Sequence, residues 1–243
     1  MGIYFNTADF TFSVTLGCNR IKTTITGLSG EASSWIDEIL RLHSPFNKVI
    51  VGLDIESCLH RKHGESRENL AALLQLCVGD RCLIFQLIHC DCIPEKLFNF
   101  LFNEKIYFIG AGIFDDVKKL ELDYGLKVGT YFDLPRVAAA KTGQPCIEQW
   151  GLQELLLEFT GDRLEKPMRI VQSDWGKQYL NLEQVEYAAI DAIASLAVGR
   201  NLLVELSGTK YDSRPLLFTS ILLTILEFQL ILIRSYLSHL IEY

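Results

Sequence analysis

No G-x-x-x-x-G-K-[ST] pattern occurs in the 243 residues, so the phosphate cradle of an ATP-driven helicase or motor is lacking. Basic residues are in the minority: 23 Lys and Arg face 30 Asp and Glu, a formal net charge of -7. That balance disfavours a surface that coats nucleic acid by bulk charge, while leaving room for a small basic groove. The first ten residues, "MGIYFNTADF", lack a basic region followed by an apolar core, so no signal peptide is expected. Gly2 is followed by Asn6 where an acylation signal wants Ser or Thr, so no myristoylation is expected either. There is no internal repeat and no low-complexity linker before Ser207. Seven cysteines, an odd number, fit reduced thiols in a cytosolic or nuclear setting.

What is present is alternation of apolar runs and helical periods. "FTFSVTLGCNRIKTTITGL" reads as a hairpin turning near Gly17–Asn19, and "AALLQLCVGDRCLIFQLI" as a second about "VGDR". "EASSWIDEILRLHS" has helical spacing and leads into "KVIVGLDIES", a strand buried on both faces. "PEKLFNFLFNE" opens a helix with Pro, "KIYFIGAGI" is a short buried strand running into "FDDVKKLELDYGL", and Gly161 closes the helix in "IEQWGLQELLLEFTG". "NLEQVEYAAIDAIASLAVGRNLLVEL" is a long helical run. Three antiparallel strands followed by alternating helices and strands predict an α/β domain on a mixed sheet, spanning residues 1–207.

Three places carry carboxylates in settings unlike ordinary surface. Asp54 and Glu56 sit two apart on the buried strand and so project side by side. Their repulsion costs roughly 1–3 kcal/mol under partial burial and desolvation adds more, so a shared proton, a cation or a metal should compensate. Asp115 and Asp116 follow the strand "YFIGAGI", where the chain turns into a helix. Tyr187 and Asp191, four apart, share one face of the long helix, and Ala188, Ala189, Ala192 and Ala194 let that helix pack closely. Singly, each has an ordinary reading: a helix cap, a solvated helical Asp, a half-exposed strand end.

Together these residues form an order. D-x-E on a strand, Asp at a strand-to-helix junction and Tyr-x-x-x-Asp on a late helix resemble the 3′→5′ exonucleases of the DEDD superfamily, tyrosine subclass. More narrowly, the chain resembles the Werner syndrome-type exonuclease domain. "VGLDIE", "LLQLCVGDRCLIFQL", "GAGIFDDVKKL", "GLQELLLEFTG", "SDW" and "YAAIDA" carry the likeness over residues 12–206. The resemblance implies an RNase H-like fold, two Mg²⁺ or Mn²⁺ ions and hydrolysis from a 3′ end, DNA before RNA. It implies that Asp54 bridges the ions, Glu56 and Asp191 complete the first, and Asp116 rather than Asp115 anchors the second. It assigns Tyr187 to orienting the attacking water. It also implies residence in nucleus or cytosol, and a helicase or other DNA-maintenance protein supplied in trans. The chemistry suits the residues, since hard cations take oxygen ligands and a pair of them serves both ends of an in-line displacement.

Several residues stay open at this level. Lys118, Lys119 and Lys177 are candidates for phosphate, and Trp175 for base stacking or, more simply, for the core. The family usually follows its D-x-E with Trp, whereas Ser57-Cys58-Leu59 stand here. His60 and His63 with Cys90 and Cys92 offer four zinc ligands, but C-x-C is too tight for an ordinary finger. Residues 208–243 are far more apolar than the rest and read as a docked helix, a membrane anchor or an altered reading frame. A binding module that kept the fold and lost turnover is the competing function.

Overall fold

The computed structural model describes residues 1–7, 11–43, 48–61 and 67–206, the side chains of residues 60, 61, 67, 68 and 203–206 excepted. Its centre is the strand β4 (Val49–Arg61), where Val51 and Leu53 are fully buried and the partly buried Ile50 and Val49 pack against the cores of the two faces. Four more strands of this centre follow in the chain: β5 (Arg67–Val78), β6 (Arg81–Gln86), β7 (Ile106–Gly110) and β8 (Thr130–Asp133). β4, β5 and β6 pair antiparallel, with the β5–β6 turn at Gly79-Asp80, while β7 and β8 add in parallel on the other side of β4.

An N-terminal meander of β1 (Gly2–Asn6), β2 (Thr11–Leu16) and β3 (Asn19–Thr26) extends this sheet. β3 lies parallel to β6, giving eight strands in the order β1-β2-β3-β6-β5-β4-β7-β8. The expected mixed α/β architecture is present, antiparallel first and parallel after.

Helices cover both faces. α1 (Ser29–His43), α2 (Glu95–Leu101) and α3 (Ile113–Tyr124) lie on one. There Trp35, Phe100 and Phe108 meet edge to face at 6.2 and 6.1 Å, packed with Leu53, Leu74, Leu76 and Phe85. The opposite face carries α4 (Leu134–Thr142), α5 (Leu152–Thr160), the short α6 (Met168–Val171) and the 25-residue α7 (Leu182–Leu206). The period of two puts Leu74 and Leu76 in the first layer, and Leu73 and Cys77 in the second.

Three features differ from the sequence expectation. β1 forms because Ile3 and Phe5 find partners in β2, which a lone five-residue segment does not announce. β4 and β5 run on past Ser57 as a paired ribbon, after a bulge between Glu56 and Ser57. β8 and α4 lie in a stretch whose short period gave no signal. The predicted tail, residues 208–243, lies outside the described residues. Among the described residues no helix is long and apolar enough to cross a membrane.

Candidate active site

The site forms where β4 outruns β7. Parallel pairing with β7 ends at Gly52, and the next residues of β4 lie past the end of its neighbour. Gly110 and Gly112 end β7 and start α3, Gly112 with φ +79, the left-handed conformation that glycine tolerates best. The Gly112 amide donates to Asp133 Oδ1 at 2.7 Å, which fixes the turn. Asp54 and Glu56 then face α7, while Asp116 enters from the first turn of α3.

α7 is brought in by small residues. Ala188, Ala189, Ala192 and Ala194 are fully buried, and Gly52 lets the α7 backbone sit directly on β4. A β-carbon on Gly52 would lie 2.1 Å from the Ala192 carbonyl oxygen. This contact delivers Asp191 to the strand acids. Oxygens of Asp54, Glu56 and Asp191 lie within 4.8 Å of one another, and among the described residues they are the group arranged to hold a metal ion.

The electrostatics are those of crowded acids. Loss of water raises the Asp54 carboxyl well above its usual range, and Asp191, Asp116 and Glu56 push it further. The same burial, with Asp191 next, raises Glu56 to about 8. Asp116 reaches about 7 through burial, then Asp115, Asp133 and Asp191. Asp191 is also raised by burial, against the opposing pull of Lys166, whose Nζ lies 2.9 Å from Asp191 Oδ2. Asp191 Oδ1 is buried with no hydrogen-bond partner among the described residues. An orphaned carboxylate oxygen beside two more carboxylates fits a hard divalent cation, so the residues present suit such an ion.

Tyr187 is buried beside Asp191, and burial, then Asp191, Glu56 and Asp54, raises its phenol. It therefore stays protonated as an O–H donor. Trp175 is 2% exposed, donates to the Val171 carbonyl at 3.2 Å and backs the Tyr187 ring at 5.8 Å. It packs in the core.

The five expected acidic and tyrosine residues are thus placed together, Asp116 at the margin of the tight trio. Asp116 is half-buried and felt by Asp54 and Glu56, whereas Asp115 is exposed. Lys119 does not face the site. It donates to the Asn69 carbonyl and pairs with Asp123 at 3.0 Å. Lys118 and Lys177 are exposed. His63 and the His60 side chain lie outside the described residues, and Cys90 and Cys92 stand apart from the acidic group.

Two residues escaped the sequence reading. Lys166 sits in a segment with no regular element, so no period marked it. Gln75 was hidden inside an apolar run; it lies directly across from Asp54, fully buried, its amide unpartnered among the described residues.

Comparison with known proteins decides the family. Residues 31–207 match the 3′-5′ exonuclease family. The chain belongs to it. Among its relatives, the mouse bifunctional 3′-5′ exonuclease/ATP-dependent helicase WRN is 33% identical over 154 residues, covering 63% of this chain and 11% of that protein. An Arabidopsis thaliana 3′-5′ exonuclease is 34% identical over 148 residues, covering 60% of this chain and 50% of that one. The chain therefore spans half or less of the length of either relative. The crystal structure of Escherichia coli RNase D, an exoribonuclease, shares the fold with a TM-score of 0.62 at 21% identity, over 76% of this chain and 46% of that one.

Proposed function

We propose that this chain shortens nucleic acid from the 3′ end by metal-dependent hydrolysis, using two Mg²⁺ or Mn²⁺ ions, with DNA preferred to RNA. The single observation that carries the reading is the convergence of Asp54, Glu56 and Asp191 within 4.8 Å, next to an unpartnered carboxylate oxygen. Asp54, Glu56 and Asp191 would hold one ion, and Asp54 with Asp116 the second. Bound metal supplies a water nucleophile at neutral pH and neutralises the oxyanion that leaves.

The protein's own groups do the positioning. Tyr187, protonated and braced by Trp175, offers its hydroxyl to the attacking water beside Glu56. The water oxygen bonds to phosphorus as the P–O3′ bond breaks, releasing a nucleoside 5′-monophosphate and a strand with a new 3′ hydroxyl. The preference for DNA and the nuclear or cytosolic setting follow from the likeness to Werner-type exonucleases, as does a helicase acting in trans.

The test is a 5′-labelled duplex with a recessed 3′ end, and a matching RNA, incubated with Mg²⁺, Mn²⁺ or EDTA. The expected result is a metal-dependent ladder, faster on DNA, lost in Asp54→Ala and about 10- to 100-fold slower in Tyr187→Phe. Retained binding with no ladder under either metal would replace the enzyme with a binding module.

A further inference from the structure

Among the described residues, one cation stands among the acids of the site. Lys166 Nζ is 2.9 Å from Asp191 Oδ2 and 5.5 Å from the centre of the Tyr187 ring. Its side chain is 27% exposed against 4% for Asp191, so the ammonium lies between the carboxylates and solvent. Lys166 is also the cation that opposes the raised pKa of Asp54, of Glu56 and of Asp191. Burial alone would lower the ammonium, but Asp191, Asp54 and Glu56 outweigh it, and Lys166 is held charged.

Its backbone is anchored on both sides. Leu164 is buried, with its carbonyl taking the Gln153 amide at 2.9 Å, and Ile170 is buried in the same layer. Arg169 ties α6 to α7 through both oxygens of Glu183 at 2.5 and 2.6 Å. Any movement of the Lys166 charge therefore belongs to its flexible four-carbon stem.

We propose that Lys166 is a working residue of this site. Its ammonium competes with a divalent cation for the Asp191 carboxylate, and it turns to the strand's phosphate once a cation is held there. This rests on the divalent-metal reading above. The charges support it. Once bound metal has displaced their protons, four carboxylates and one ammonium carry three negative charges between them. Two divalent cations more than cover these, and the surplus of one matches a single phosphodiester. Without Lys166 the loaded site would be neutral and would hold a phosphate less firmly.

The experiment measures Mn²⁺ binding to the full chain without nucleic acid, by calorimetry, for wild type, Lys166→Met and Lys166→Arg. Lys166→Met removes the competing charge and is expected to bind the first Mn²⁺ about tenfold tighter, with Lys166→Arg near wild type. With Mn²⁺ saturating, the same Met variant should raise the KM for an oligonucleotide about tenfold. In parallel, lysine acylation of the wild type, read by mass spectrometry, should modify Lys166 several-fold faster once Mn²⁺ is added. Unchanged or weaker Mn²⁺ binding by a folded Lys166→Met overturns the inference. If that variant does not fold, the wild-type labelling decides, and a rate indifferent to Mn²⁺ overturns it. A wild type that binds no Mn²⁺ removes the metal reading and this inference together.

Discussion

Replacing Gly52 by Ala tests whether the approach of α7 to β4 sets the site. The added β-carbon would meet the Ala192 carbonyl oxygen at 2.1 Å and the Leu196 amide nitrogen at 2.9 Å. Both are backbone atoms, so no rotamer relieves the overlap. An ordinary carbon–oxygen contact needs about 3.3 Å, which requires α7 to retreat by roughly 1.2 Å. Overpacking against backbone on this scale costs about 3 kcal/mol, and for a chain of this size Tm should fall by about 6–12 °C. Asp191 precedes Ala192 and travels with it, away from Asp54 and Glu56. A misplacement near 1 Å costs about 100-fold in rate even where the protein is folded.

The measurements are thermal melts by circular dichroism and single-turnover degradation of a labelled oligonucleotide with Mn²⁺ well below the melting range. Gly199→Ala is the control. Its β-carbon would meet Ile109 Cδ1 at 2.1 Å, the far end of a side chain that can turn aside, so its effects should be smaller on both counts. If Gly52→Ala kept activity within about threefold and Tm within about 2 °C, the spacing argument would be wrong.

Two further outcomes follow from the same geometry. In EDTA, Glu56 and Asp116 keep protons up to about 8 and about 7, whereas the unfolded chain releases them near ordinary carboxylate values. The native state then binds more protons than the unfolded one across this window, so stability falls as pH rises from 5 to 8.5, and Mn²⁺ should raise Tm most at the alkaline end. A flat metal-free profile, identical in Glu56→Gln, would count against the crowding. Away from the site, Asp123 takes the Ala71 amide at 2.7 Å and the Lys119 ammonium at 3.0 Å, pinning α3 to β5. Asp123→Ala should cost about 2 kcal/mol, seen as a lower urea midpoint, with activity at low temperature nearly intact; an unmoved midpoint would show the pin to be idle.

The site was more legible than the fold around it. Asp54, Glu56, Asp116, Tyr187 and Asp191 announce themselves because carboxylates inside apolar runs break the local pattern, and their order matches a family. Long periodic elements such as α1 and α7 were equally plain. β1 and β8 were not, because strands of five and four residues gain their structure from partners rather than from their own period. Lys166 was invisible for a related reason. Its meaning lies in what Asp191 brings to it from 25 residues later, and a lysine between Glu165 and Pro167 reads as surface.

The site's halves are also separated in time. Asp54 and Glu56 leave the ribosome with the first quarter of the chain, but α7, which packs on β4, β5, β6 and β7 as well as the N-terminal meander, comes last among the described elements. At ordinary synthesis speeds the interval is on the order of ten seconds. Throughout it the nascent chain, lying beside messenger RNA, has its strand acids but neither Asp191 nor Tyr187. The proposed centre is completed by the same helix that closes the second core layer, so that layer must fold before the four acids and Tyr187 stand together.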